Sequence, residues 1–211
     1  MKTAIVLSGQ LRNFDECFPS FKANILDHND CHIYMHTYID TDMAQLQKAI
    51  ALYQPQRLLL ERQEQDFQVC PKCVHPTPPT RSKREAMYWM FRNVQVAFKT
   101  IPADRYDCIV KARYDLQYTK PIVFFDYDMN NINVPDGSDF LGGLGDLFAF
   151  SCYAHMEYYF TMYEKIEQYV MVDGVNCHPE TLLRYHLRDK PLFRPDFPLY
   201  LRDICMTDYK G

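Results

Sequence analysis

At 211 residues, with a formal net charge of -4 and 24% charged residues, the chain has the composition of one globular domain, and its negative charge argues against a nucleic-acid backbone as its main partner. A chain of this length buries roughly 70% of the surface that its unfolded form exposes, so it needs no disulfide to fold. Its first apolar run, Ala4 to Leu7, is too short for a signal peptide or a membrane span, which gives the expectation of a cytoplasmic protein.

The eight cysteines mostly stand singly in apolar contexts such as Asp-Cys-Ile-Val, the pattern of reduced, buried thiols. Aromatic residues make up 15% of the chain, 16 of them Tyr; most belong in the core, and the rest suit flat or sugar-like ligands. No repeat or linker divides the sequence, so 1–211 reads as a single domain. Its ending, Thr-Asp-Tyr-Lys-Gly, carries no cap signal and suits a domain cut from a longer polypeptide.

Lys2 to Leu7 predicts a first strand, Ser8 to Phe14 a loop, and Asp15 to Leu26 a helix, with apolar residues at Phe18, Phe21, Ile25 and Leu26. A strand, a glycine-containing turn and a helix in this order can hold a phosphate. Gly9 lets the backbone approach closely, helix amides attract anions, and Arg12 offers a fork of donors; a tight turn with a solvated Arg is the plainer reading. Cys31 to Tyr38 predicts a second strand, Thr41 to Tyr53 a helix, and Arg57 to Glu61 a third strand. The alternation predicts a parallel sheet covered on both faces. His32 and His36 fall on one face of the second strand, either as a metal pair or as packing groups, and Tyr38 at the strand end is placed to line a pocket. Cys70, Cys73 and His75 lie in a polar, Pro-rich loop and supply three of the four ligands that a structural zinc requires. The longest helical pattern, Arg81 to Ile101, opens with Arg81, Lys83 and Arg84, cations at an already positive helix start that call for an anion or sit solvated.

Tyr106 to Ala112 predicts a short buried strand running directly into Arg113 and Asp115. In an open α/β sheet ligands bind beyond the carboxyl ends of the strands, so this cation and carboxylate either face a substrate or cap the strand as a surface pair. Farther on, Gly142, Gly143 and Gly145 precede Asp146 and a β-like run, which suggests that backbone or ligand passes close and makes Asp146 a candidate base. Ala154 to Tyr169 predicts one helix, His178 to Leu187 another opened by Pro179 and Glu180, and Leu192 to Cys205 an extended end.

The stretches Ile-Val-Leu-Ser-Gly-Gln-Leu-Arg-Asn-Phe (5–14), Tyr-Asp-Cys-Ile-Val-Lys-Ala-Arg-Tyr-Asp-Leu (106–116), Gly-Asp-Leu-Phe-Ala-Phe-Ser (145–151) and His-Pro-Glu-Thr-Leu-Leu-Arg-Tyr-His-Leu (178–187) resemble small GT-A-type glycosyltransferases of large DNA viruses and bacterial polysaccharide loci. The resemblance implies an α/β, GT-A-like, Rossmann-related sheet, mostly parallel and flanked by helices on both faces. It also implies a UDP-sugar donor, a carbohydrate or glycoprotein acceptor such as a viral capsid glycan, and, if the chain is viral, action in the host cytoplasm. A divalent metal, Mn2+ or Mg2+, is implied on an Asp-x-Asp motif at a central strand end. Here that position reads Arg113-Tyr114-Asp115, so only Asp115 carries over as a metal ligand. Diphosphate oxygens and waters could complete its octahedron, or Arg113 could replace part of the metal's charge. The donor-binding residues are then Ser8, Gly9, Gln10, Arg12, Tyr38, Arg81, Arg84 and Arg113, and the catalytic candidates are Asp146 and, second, Glu180. The missing first Asp favours a different class, a non-catalytic domain that binds a nucleotide or glycan in the same crevice.

Overall fold

The computed structural model describes residues 1–62, 81–137, 139 and 142–202, with side chains from 86 onward in the helix that opens at 81. Strand β1 (Lys2–Ser8) is hydrogen-bonded on both edges to parallel strands, β2 (Asp30–Tyr38) on one side and β4 (Cys108–Ala112) on the other. β3 (Arg57–Glu61) extends the sheet beyond β2, also in parallel. Past β4 the sheet continues through β7 (Ala149–Ser151), β6 (Ile132–Asn133) and β8 (Leu192–Phe193), giving the order β3-β2-β1-β4-β7-β6-β8. A separate ribbon pairs β5 (Leu116–Tyr118) with β9 (Leu199–Leu201).

Period-2 alternation divides the central strands between two cores. Ile5, Leu7, Ile33, Met35, Val110 and Ala112 pack beneath helices α1 (Phe14–Asn24) and α2 (Met43–Tyr53). Ala4, Val6, Tyr34 and Ile109 pack on the opposite side, beneath α3 (Arg81–Phe98), α4 (Tyr153–Phe160) and α6 (Pro179–His186). Helix α5 (Met162–Met171) closes a third cluster, setting Met162 and Ile166 against Met87 and Phe91 of α3. The expected α/β sheet with both faces covered is present. No helix among the described residues is long and apolar enough to cross a membrane.

The structure departs from the sequence reading at four points. β7 runs antiparallel to both β4 and β6; the described residues between β4 and β7 hold no α-helix, the usual crossover of a parallel pair. The aromatic helix expected over 154–169 breaks at Thr161, whose amide and hydroxyl both donate to the Tyr158 carbonyl, at 3.0 and 2.6 Å. The extended end splits into β8 and β9, in different sheets, across the segment containing Pro195 and Pro198. Cys17, Cys31, Cys108 and Cys152 are free thiols, and burial pushes those of Cys17 and Cys31 up, to about 11 and about 12. Cys177 is disulfide-bonded, so the expectation of reduced thiols fails there.

His186 joins three of these helices. Its Nε2 donates to the Tyr158 carbonyl of α4 at 2.8 Å, its Nδ1 accepts from the Tyr169 hydroxyl of α5 at 2.9 Å, and its ring stacks on Tyr158 at 4.4 Å. Both nitrogens are thus committed to the neutral imidazole. Burial holds the ring's pKa down, at about 4. Between pH 6.5 and 4 the unfolded chain takes up this proton and the folded one does not. Stability contributed at neutral pH should therefore be lost as pH falls through that window, by at most about 1.4 kcal/mol per pH unit. His186→Gln should be less stable than wild type near pH 7, and the two should converge as the pH approaches 4; denaturant unfolding of both proteins across this range checks the sign.

Candidate functional site

From β1 the chain winds outward through β2 and β3, then returns to place β4 on the other edge of β1. The loops after β1 and β4 leave in opposite directions, and the crevice between them is where open α/β sheets bind ligands. Here it is a cavity of about 240 Å³, slightly below the roughly 300–1,000 Å³ of small-molecule sites. Ser8, Gly9, Gln10 and Arg12 line it from β1, Tyr38 from β2, and Lys111, Arg113, Tyr114 and Asp115 from β4, with Ala86, Trp89, Met90 and Asn93 of α3 forming a wall.

Gly9 adopts φ 107° while its amide donates to the His36 carbonyl at 3.2 Å, a conformation strained for any residue with a Cβ. The buried Tyr114 hydroxyl lies 3.0 Å from the His36 carbonyl and 3.3 Å from that of Leu7. It pins the loop after β4 to the ends of β2 and β1 and forms the cleft floor. Tyr38 is held by Asn93, whose Nδ2 donates to its hydroxyl at 2.5 Å. Next to it, His36 meets Glu61 at 2.9 Å and Arg92 meets the same carboxylate at 2.7 Å. Burial lowers the His36 pKa, partly opposed by Glu61. His32 instead meets the Tyr106 hydroxyl at 2.8 Å, so the two histidines serve separate polar contacts and form no metal pair.

The start of α1 differs from its sequence reading as an anion attractor. Asp15 and Glu16 occupy its first turn and pair with Lys48 at 2.7 Å and Arg202 at 2.6 Å. Carboxylates already answer this helix dipole. Positive charge in the cleft comes from Arg12, Lys111 and Arg113.

Arg113 and Asp115 make a side-on pair, Nε to Oδ1 at 2.8 Å and one terminal nitrogen to Oδ2 at 2.7 Å. Burial alone would lower the guanidinium pKa, and the Asp115 carboxylate more than offsets this, leaving it above the ordinary value. With both Asp115 oxygens taken by a cation, the arrangement does not fit the divalent ion that the resemblance implies.

Lys111, between the apolar Val110 and Ala112, carries no sequence signal of function, yet it joins the two halves of the site. Its ammonium is buried and donates to the Asp146 backbone carbonyl. Burial brings its pKa down to about 8, against the pull of Asp146, Asp115 and Glu180. Asp146 and Glu180 lie beyond it, outside the residues that line the cleft. Asp146 is 7% exposed, and its carboxylate makes no hydrogen bond or ion pair among the described residues. Glu180 is held above the ordinary carboxylate range first by burial and then by the negative charges of Asp146 and Asp139, with His178 acting the other way. The pH-linked proton of a general base belongs on such a group.

Seven of the residues singled out in the sequence thus meet in one cleft: Ser8, Gly9, Gln10, Arg12, Tyr38, Arg113 and Asp115. The side chains of Arg81 and Arg84, and the stretch carrying Cys70, Cys73 and His75, lie outside the described residues.

Of the glycines before Asp146, Gly143 meets an approaching backbone. A Cβ on Gly143 would come within 2.5 Å of the Glu180 Cβ and carbonyl oxygen; at this point the Leu144 amide donates to that carbonyl at 2.9 Å. The missing side chain lets α6 approach the loop. Gly143→Ala should cost about 1–3 kcal/mol through overpacking, measurable by denaturant unfolding.

No protein-family model and no curated protein matches the chain, so the functional reading rests on the geometry of the cleft and the acid pair.

Proposed function

We propose that the chain is a glycosyltransferase domain that moves a sugar from a UDP-sugar to a hydroxyl of a carbohydrate or glycoprotein acceptor. The observation that carries this reading is a cationic crevice at the reversal of strand order, tied through Lys111 to the backbone of the buried Asp146, with the partly buried Glu180 close enough to act on the Lys111 charge. Sugar transfer calls for both halves. The bond from the anomeric carbon to the β-phosphate oxygen breaks with its electron pair going to the diphosphate, so cations must meet the leaving group. In a direct displacement the acceptor oxygen bonds the anomeric carbon and gives its proton to a carboxylate. Arg12, Lys111 and Arg113 suit the first task, and Asp146 or Glu180 the second. The GT-A character of the sheet and the acceptor class rest on the sequence resemblance.

Release of free sugar from UDP-sugars by the isolated domain tests the reading. UDP binding without any sugar release, with or without added Mn2+, would assign the cleft to a non-catalytic nucleotide-binding module. Arg12→Ala should weaken UDP far more than uridine, because it removes a phosphate contact and leaves the base untouched; isothermal calorimetry with both ligands measures the difference. Asp146→Asn keeps the shape and removes the charge, so turnover should fall roughly 10²- to 10⁴-fold while UDP affinity stays within a few fold. Near-normal turnover in this variant would move the base role to Glu180.

A further inference from the structure

We infer that the protein's own cations, Arg113 and Lys111, take the place of a divalent metal at the diphosphate, with Asp115 holding Arg113 in position. The inference rests on the reading of the cleft as a nucleotide-diphosphate site and commits that site to metal-independent binding.

The side-on pair leads to this. Asp115 receives Nε–H on one oxygen and a terminal N–H on the other, and its side chain is 7% exposed. A metal ion at this carboxylate would have to expel the guanidinium or sit beside it, two cations sharing the same pair of oxygens. Such an ion would need this carboxylate free, since its other oxygen ligands would come from the diphosphate and water.

The same geometry leaves Arg113 ready for phosphate. A guanidinium has five N–H donors, and Asp115 occupies two of them, so three make no hydrogen bond among the described residues. Those three lie on the side away from Asp115, and the Arg113 side chain is 30% exposed where it lines the cleft. A planar fork held rigid along one edge suits bidentate recognition of phosphate oxygens along another. Lys111 adds a second donor from the cleft floor. Its ammonium has three N–H groups, of which one is committed to the Asp146 carbonyl, and a desolvated cation meets an anion with little screening. When the sugar leaves, the diphosphate gains one negative charge, and a diphosphate bound in the cleft would meet these two lining cations.

The test is calorimetry of UDP and of uridine on the full chain, dialysed against EDTA and then repeated with excess Mn2+, for wild type, Arg113→Lys and Lys111→Met. The expected result is UDP binding that agrees within about threefold in the two conditions. Arg113→Lys should weaken UDP by about tenfold or more in both, since Lys cannot make the side-on pair, and leave uridine unchanged; Lys111→Met should act in the same direction. Thermal unfolding establishes that each variant is folded, and the partly exposed Arg113 decides the matter if Lys111→Met is not. UDP binding that requires Mn2+ would overturn the inference and leave the nucleotide reading standing, as would wild-type UDP affinity in Arg113→Lys. Absence of UDP binding both with and without Mn2+ would remove the nucleotide reading itself, and the inference with it.

Discussion

The parallel pairing of β1 along both of its edges is the constraint from which the site follows. Parallel neighbours must be reached by crossovers, so β2 and β4 both end where β1 ends, and three loops emerge on one rim of the sheet. Because the chain turns one way to make β2 and the other to make β4, those loops part. Ser8, Tyr38 and Arg113 are remote in sequence and meet only because the register sets Leu7 opposite both Met35 and Ala112.

Charge burial at this rim ties function to stability. Lys111, Asp115 and Asp146 are each less than one-tenth exposed, and an uncompensated charge at such depth costs several kcal/mol. They are tolerated as a set: Asp115 against Arg113, and Lys111 against the Asp146 carbonyl and the surrounding carboxylates. Removing one member leaves its neighbour unpaired in a low-dielectric surrounding, so a substitution aimed at chemistry here also affects folding.

Much of this arrangement is legible in the sequence where local pattern and chemistry coincide. The β-forming run 106–112 leading into Arg113 and Asp115, the glycine turn before Arg12, and Tyr38 at a strand end all carry signals within a few residues, and all line the cleft. Lys111 escapes that reading because its partners are 35 and 69 positions away, at Asp146 and Glu180, and nothing in Cys-Ile-Val-Lys-Ala distinguishes a buried lysine from one at an exposed edge. Gly143 is legible only in part. A glycine announces a close approach without naming what approaches, and here it is the first turn of α6. The break at Thr161 rests on two hydrogen bonds to one carbonyl, a competition between side chain and backbone that apolar periodicity does not register.

Gly143 belongs to a larger brace. The Gly145 amide donates to Asp139 at 3.0 Å, and Arg194 grips both oxygens of Asp139 at 2.8 Å while reaching the Pro135 carbonyl. The loop before Asp146, the start of α6 and the segment after β8 are therefore one assembled block, although they come from three separate parts of the chain. In such a block the spacing between the Leu144 backbone and the first turn of α6 is set by backbone against backbone. Gly143 works as a calliper of set opening: the absence of a single methyl group fixes how closely the loop that carries Asp146 and the helix start that carries Glu180 can meet.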